Sequence, residues 1–204
     1  MNGYEEVKKE VNKKMKCRDF EFNINYFDDD GNVKVDLFSD IAENLVNKCF
    51  NIEYLQNEKG EYKCQGIKEK LPNGKKVYYG KNEYLKDCPR NNRVKEKISL
   101  NQMRKFYNEI LNYWIQLENI NNNEEKLKKF RELLPLIKME KAKANIAYQK
   151  KNINTNFKKF IDLNIDYVVD GYEKNLEKSL EKFKIFVSLF ESIIAYSKGI
   201  IKEN

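Results

Sequence analysis

The second half of the chain carries apolar residues at helical spacing. From Ser99 onward, leucine, methionine, isoleucine and aromatic residues recur at steps of three and four, the period of an amphipathic α-helix. The S-L-N-Q pattern at 99–102 predicts a capped helix start, and Asn-rich breaks and an Asp-Gly pair separate three further helices. We expect Pro135 to kink or interrupt the second of these helices, because proline lacks a backbone donor and crowds the preceding turn.

The first half alternates apolar and polar residues instead. FEFNINYF (20–27) and NVKVDLF (32–38) flank the turn sequence DDDG, which predicts a β-hairpin, with a loosely extended arm as the alternative. Residues 4–16 are charged and predict a short helix or a frayed tail. IAENLVNKCF (41–50) predicts a short helix that packs on the later ones.

Residues 57–92 differ from both parts in composition, because four of the eight glycines and two of the three prolines lie there. LPNGKK is typical of a turn, and the flanking GIKEKL and KVYYG can pair across it. The patterns together predict a mainly α fold, a small bundle of about five helices with an N-terminal extended arm or hairpin and an inserted β-finger. The expected division is an N-terminal arm and short helix (1–56), an inserted loop or hairpin (57–92) and a helical core (93–204) on which 39–50 packs.

Composition indicates the size of the hydrophobic core and the cellular compartment of the protein. Apolar residues make up 41% of the chain and include 12 Phe and 13 Tyr, enough for a sizeable core. No apolar run approaches the roughly 18 residues that span a bilayer, and the N-terminus lacks the apolar segment of a signal peptide. We therefore expect a cytoplasmic protein with no membrane partner.

Positive charge is concentrated in one segment. The formal net charge of the whole chain is +7, and residues 126–151 alone hold nine basic and two acidic residues, which is also +7. On a helical wheel of 136–151, Ile137 and Tyr148 mark one apolar side, and Met139 and Ile146 mark a second. Two apolar sides predict a helix packed between neighbours, with its lysines leaving through a narrow polar strip.

Such a strip suits a phosphate backbone, because ammonium groups along one helix face bind successive phosphates without reading bases. The alternative is a solvated surface whose lysine stems cover apolar area. The candidate RNA-binding residues are basic side chains on this helix, before it, after it and on the capped helix: Arg104, Lys105, Arg131, Lys138, Lys141, Lys143, Lys150 and Lys151.

The sequence contains no motif that is typical of a catalytic site or a metal site. There is no histidine, no Gly-rich phosphate loop and no C-x-x-C pair, and DDDG lacks the spacing of a calcium loop. We therefore predict no catalytic residue, no metal site and no cofactor. Reduced, partly buried thiols are expected for Cys17, Cys49, Cys64 and Cys88, with a four-thiolate metal site as the alternative.

Three blocks of sequence resemble a known family. They are YFDDDGNVKVDLFSDIAENLV (26–46), SLNQMRKFYNEI (99–110) with LLPLIKMEKAKANIAYQKK (133–151), and FVSLFESIIAYSKG (186–199). In this order they resemble the small subunit of type III-A CRISPR effector complexes, the Csm complex. The combination of R-K-F-Y with I-K-M-x-K-A-K is fairly specific to that family. Two departures are the segment 57–92, which has no counterpart, and Lys150 with Lys151, where the family often has an arginine.

The resemblance implies a helical bundle without catalytic activity of its own. Copies of such a subunit stack along a backbone subunit that holds the guide RNA, and they line the channel where target RNA pairs with it. The implied partners are therefore guide RNA, target RNA, further copies of the chain, and the backbone and large signalling subunits. The competing hypothesis is a structural helical adaptor that binds protein partners without RNA contact. An enzyme built on carboxylates or on the four cysteines is a third.

Overall fold

Helices dominate the protein, as the sequence predicts. A computed structural model describes residues 14–17, 20–57, 59–70, 76–79, 83–86, 88, 90 and 93–203. The first helix continues directly into a π-helical turn at Leu45–Phe50. The five α-helices, which confirm the mainly α fold, are α1 (Asp40–Asn44), α2 (Leu100–Glu118), α3 (Asn123–Gln149), α4 (Thr155–Val169) and α5 (Leu176–Ser197).

The four long helices form a bundle around a phenylalanine-rich core. α3 packs against α2, α4 and α5, and α5 also packs against α2, α4 and α1. The rings of Phe157, Phe160, Phe186 and Phe190 are fully buried and contact one another in tilted, edge-on and stacked pairs. Burying rings of this size supplies much of the driving force for packing the helices.

Each long helix begins at a side-chain cap. The Ser99 hydroxyl accepts the Gln102 backbone N–H at 3.3 Å, which confirms the predicted cap of α2. Asparagine side chains do the same for the next three helices, at Asn122, Asn154 and Asn175. These caps satisfy donors that have no partner within the helix, and they explain why the Asn-rich breaks fall where they do.

The N-terminal hairpin lies earlier in the chain than predicted. Strands β1 (Lys14–Cys17) and β2 (Phe20–Asn23) are antiparallel, whereas only a single bridge between Phe27 and Val33 spans the DDDG turn. A 3₁₀ turn at Val35–Phe38 replaces the second predicted strand. A strand would put Val35 and Leu37 on one face, but Val35 is 96% exposed and Leu37 is fully buried. The predicted charged helix or tail at 4–16 falls outside the described residues up to position 13.

The segment 57–92, predicted to be an insertion, contains the predicted strand pairing. It holds four short strands, β3 (Tyr62–Lys63), β4 (Ile67–Lys70), β5 (Lys76–Tyr79) and β6 (Tyr84–Leu85), in which β4 pairs with β5 and β3 with β6. The turn at 71–75 lies outside the described residues. The segment leaves and rejoins the rest of the fold at one place, where the Glu96 backbone N–H donates to the Glu53 carbonyl at 2.9 Å.

The prediction of reduced thiols is wrong for all four cysteines. Cys17 is disulfide-bonded to Cys49 and Cys64 to Cys88, with Cα–Cα distances of 5.2 and 6.0 Å. The pairing also leaves no thiolate for the alternative metal site. The partners are 32 and 24 residues apart. Cys17 and Cys49 come together because β1 and the π-helical turn both pack against α4, and Cys64 and Cys88 come together through the pairing of β3 with β6.

The predicted interruption at Pro135 does not occur, because α3 is continuous from Asn123 to Gln149, and the alternative of a kink within a continuous helix stays a prediction. Pro135 lies on the exposed side of the helix, so water can satisfy the Arg131 carbonyl that it leaves without a donor. Leu134 and Ile137 are buried on either side of the proline and hold both halves of the helix on the bundle.

Candidate RNA-binding face

α3 presents one buried face and three others that differ in chemistry. Phe130, Ile137 and Ala144 are fully buried and define the core side. Cross-helix contacts show that one flank of the helix faces α2 and the other faces α4. The remaining side points away from the bundle. The basic residues of α3 are therefore divided among separate surfaces by the helical period of 3.6 residues.

The flank of α3 that faces α4 carries two exposed cations, Arg131 and Lys138. They are seven residues apart, which places them on the same side of the helix and about 10 Å apart along its axis. In the part of the chain that the structure describes, neither has a carboxylate within ion-pair distance. Their charge is therefore available to an external anion.

Arg131 and Lys138 line a groove between α3 and α4, which we call the α3–α4 groove. Its volume is about 610 Å³. The α3 side also contributes Leu134 and Pro135 to the lining, so apolar surface lies directly beside the two cations.

The opposite wall of the α3–α4 groove comes from the end of α4 and the turn that follows it. Val169, Tyr172 and Glu173 line this wall. The Tyr172 hydroxyl donates to Glu173 Oε1 at 3.2 Å. Gly171 takes a φ of +77°, a left-handed conformation that suits glycine, and so allows the tight turn that places both side chains there.

Lys141 lies one turn beyond Lys138 on the same flank and is already paired. Its Nζ is 2.5 Å from Asp166 Oδ1 of α4. Both side chains are partly exposed, and surface pairs of this kind contribute about 0–1 kcal/mol. An external anion can therefore displace Asp166 from Lys141 at small energetic cost.

Lys143 lies on the other flank and joins a network between α2 and α3. Its Nζ is 2.5 Å from Glu109 Oε2 and 2.7 Å from Glu140 Oε1, and the Tyr113 hydroxyl donates to the same Glu140 oxygen at 3.0 Å. The Glu140 side chain is fully buried, and its Oε2 has no hydrogen-bond partner among the residues that the structure describes. The Lys143 ammonium group therefore forms ion pairs within the bundle, and it lies on the opposite flank of α3 from Lys138.

Charge states in this network follow from burial and pairing. Burial raises the pKa of Glu140, and hydrogen bonds from Lys143 and Tyr113 offset only part of that effect. For Lys143, burial acts to lower the pKa, but the hydrogen bonds to Glu109 and Glu140 outweigh it, and the pKa rises. Lys143 therefore stays cationic at neutral pH.

The remaining candidates lie at helix ends. Arg104, near the start of α2, is paired with Glu203, with Nη1 and Oε1 2.9 Å apart, whereas Lys105 beside it is exposed. Lys150 caps the C-terminal end of α3, and Lys151 follows it with a φ of +59°. Both are exposed, and the helix dipole favours cations at this end.

The third side of α3, which faces away from the bundle, is apolar. Met139 is 53% exposed and Ile146 is 55% exposed, and Leu136 and Ala142 are exposed beside them. The expectation that both apolar sides of this helix pack against neighbours is therefore wrong for the chain by itself. The pattern of the sequence identifies an apolar side, but it does not distinguish a neighbour within the chain from one outside it. We call these four residues the α3 outer stripe.

Sequence reasoning missed the residues that shape the flanks. The Asp-Gly turn is the only local pattern near Tyr172 and Glu173, and Glu109 and Asp166 carry no pattern that marks them as partners of lysines on α3.

Among the described residues, no three His, Cys, Asp or Glu side chains are arranged to hold a metal ion. Within the same residues, no helix combines the length and the apolar composition that a bilayer crossing requires.

Comparison with known proteins identifies the family. The family model described as Csm2 Type III-A matches residues 86–202, which is more than half of the chain and includes all four helices of the bundle. No curated protein and no solved structure matches the chain. The chain belongs to the Csm2 Type III-A family, the small subunits of type III-A CRISPR effector complexes.

Proposed function

We propose that this chain is a non-catalytic subunit that binds the backbone of guide or target RNA inside the type III-A complex, in the cytoplasm, as part of antiviral defence. The observation that carries the proposal is the pair of exposed cations on one flank of α3, Arg131 and Lys138, which have no carboxylate partner among the described residues. Lys141 extends the same flank and is held there by only a surface ion pair.

The chemistry of this flank favours phosphates over base edges. Lysine acts on phosphate as a point charge and carries no information about sequence. The supporting helix is 27 residues long and is held by a fully buried face, so the cations are fixed relative to each other. A rigid, sequence-independent contact suits a channel in which base pairing with the guide reads the target.

Stacking of several copies, and contact with the backbone and large signalling subunits, belong to the same proposal. The α3 outer stripe supports this part, because exposed apolar side chains along one helix face gain stability when a partner covers them. Many weak RNA contacts repeated along such a stack give strong binding through avidity.

The test compares charge reversal at two positions with a matched control. In the assembled complex, Arg131→Glu with Lys138→Glu should weaken RNA capture, and the dependence of log affinity on log salt should flatten by roughly 0.7 for each phosphate that is no longer neutralised. Lys184→Glu in α5 makes the same kind of charge change at an exposed position outside the α3–α4 groove and should leave capture unchanged. Equal RNA capture by the double variant and the control would rule out this flank.

A structural adaptor that never touches RNA is the second candidate. It is favoured by the intramolecular pairing of Arg104, Lys141 and Lys143, which neutralises part of the basic charge, and by the α3 outer stripe. Ultraviolet crosslinking of RNA in the assembled complex distinguishes the two. The RNA-binding role predicts crosslinked peptides from 131–151 and 170–175, and the adaptor predicts none from this chain.

A further inference from the structure

The α3–α4 groove combines features that no simple phosphate contact needs. Beside its two cations it offers the apolar surfaces of Leu134, Pro135 and Val169. Its volume of about 610 Å³ lies within the range of roughly 300–1,000 Å³ that is typical of small-molecule sites. A straight run of phosphates would contact only the cations and would leave the apolar surface unused.

We infer that the α3–α4 groove binds a single unstacked nucleotide of RNA. This inference rests on the RNA-binding role proposed above and adds a subsite for a base to it. The phosphate lies against Arg131 and Lys138, and the base enters the groove and packs against the apolar lining and the Tyr172 ring. A nucleotide matches this groove because it joins an anionic group to a flat, largely apolar ring.

The distribution of charge determines how the nucleotide is oriented in the groove. Both cations lie on the α3 side of the groove, whereas the carboxylate of Glu173 lies on the opposite wall. Glu173 repels a phosphate and attracts the N–H groups of a base, so the phosphate stays on α3 and the base points toward the turn after α4. The Tyr172 hydroxyl donates to Glu173 and thereby orders the carboxylate beside the ring.

Base stacking on an aromatic side chain is tolerant of sequence, because every base has a flat face. The groove therefore recognises that a nucleotide is unpaired without recognising which base it carries. This property is compatible with a subunit that serves guides of any sequence.

The test uses the full chain and two short single-stranded probes at low salt, oligouridylate and a strand of equal length with the same ribose–phosphate backbone but no bases. The wild-type chain should bind oligouridylate about fivefold or more tightly than the abasic strand, the effect of stacking one base. Tyr172→Leu keeps an apolar side chain but removes the ring, and it should abolish that preference while it retains the affinity for the abasic strand. Circular dichroism confirms that the variant is folded.

Lys138→Glu separates the two proposals. It should weaken binding of both probes and leave their ratio unchanged, because it acts on phosphate. Equal binding of both probes by the wild type, with weaker binding of both by Lys138→Glu, would overturn the base subsite and leave the backbone role standing. Failure to bind either probe would overturn the subsite as well. Competition by a polyglutamate peptide as effective as that by oligouridylate would identify the groove as a site for acidic peptides and overturn the nucleotide proposal.

Discussion

Tyr26 and Asn164 form a buried polar contact that joins the N-terminal segment to the bundle. Both side chains are fully buried. The Tyr26 hydroxyl donates to Asn164 Oδ1 at 2.5 Å, and Asn164 Nδ2 donates to the Phe160 carbonyl at 2.7 Å. Burial raises the pKa of Tyr26 well above its ordinary value, so the hydroxyl remains a donor across the working pH range.

We predict that Tyr26→Phe lowers the free energy of unfolding by about 1–3 kcal/mol, because it leaves Asn164 Oδ1 buried without a donor. Urea denaturation followed by circular dichroism measures the change. Tyr107→Phe is the control, because the Tyr107 ring packs edge-on against Phe190 while its hydroxyl makes no hydrogen bond among the described residues. Equal effects of the two substitutions would show that the Tyr26 hydroxyl is not what matters.

Glu140 should make stability depend on pH. The folded-state pKa of this carboxyl lies above its unfolded value, so protonation favours the folded state. Its contribution to stability therefore falls as pH rises from about 4.5 through the folded pKa. Glu140→Gln removes this effect, so the free energy of unfolding of the variant should rise relative to wild type over the same interval. A difference that stays constant with pH would contradict the assignment.

At the scale of elements, the Cys17–Cys49 disulfide fastens the N-terminal hairpin to the π-helical turn after α1. The loop that it closes spans 32 residues, and Met15 and Phe22 of the hairpin are buried in the core beside it. A cross-link of this length restricts the unfolded chain and stabilises the folded one by about 3–4 kcal/mol on the chain-entropy model.

We predict that Cys17→Ser with Cys49→Ser lowers the midpoint of thermal unfolding of the helices, measured at the helical circular dichroism band. Cys64→Ser with Cys88→Ser is the matched control, because that disulfide closes a loop within the insertion. It should change the helical midpoint less. An equal or larger shift for the control pair would mean that the insertion, and not the hairpin, stabilises the bundle.

At the scale of the whole molecule, the α3 outer stripe should affect assembly and not folding. Met139→Glu with Ile146→Glu changes two side chains that are more than half exposed, so the free energy of unfolding should change by less than about 0.5 kcal/mol. If copies stack through this stripe, native mass spectrometry of the assembled complex should show fewer copies of the subunit. Ile115→Glu on α2, at a similarly exposed position, is the control.

The helices could be predicted because their information is local. Apolar period, the Ser99 cap and the Asn-rich breaks each act within a few residues, and α2 to α5 match the prediction closely. The hairpin register and the disulfides depend on contacts between residues distant in sequence and could not be obtained this way. The same limit applies to the candidate site, where Lys141 pairs with Asp166 of α4 and Lys143 with Glu109 of α2, residues that are distant in sequence.

The two ends of the segment that contains β3 to β6 meet at Glu53 and Glu96, which bears on how freely the length of that segment can change. The two arms of the chain lie side by side here, with backbone hydrogen bonds from Glu96 to Glu53 and from Leu55 to Val94. A short turn can therefore close the same gap without moving α2 or the π-helical turn. Shortening the segment between these residues should therefore leave the bundle folded.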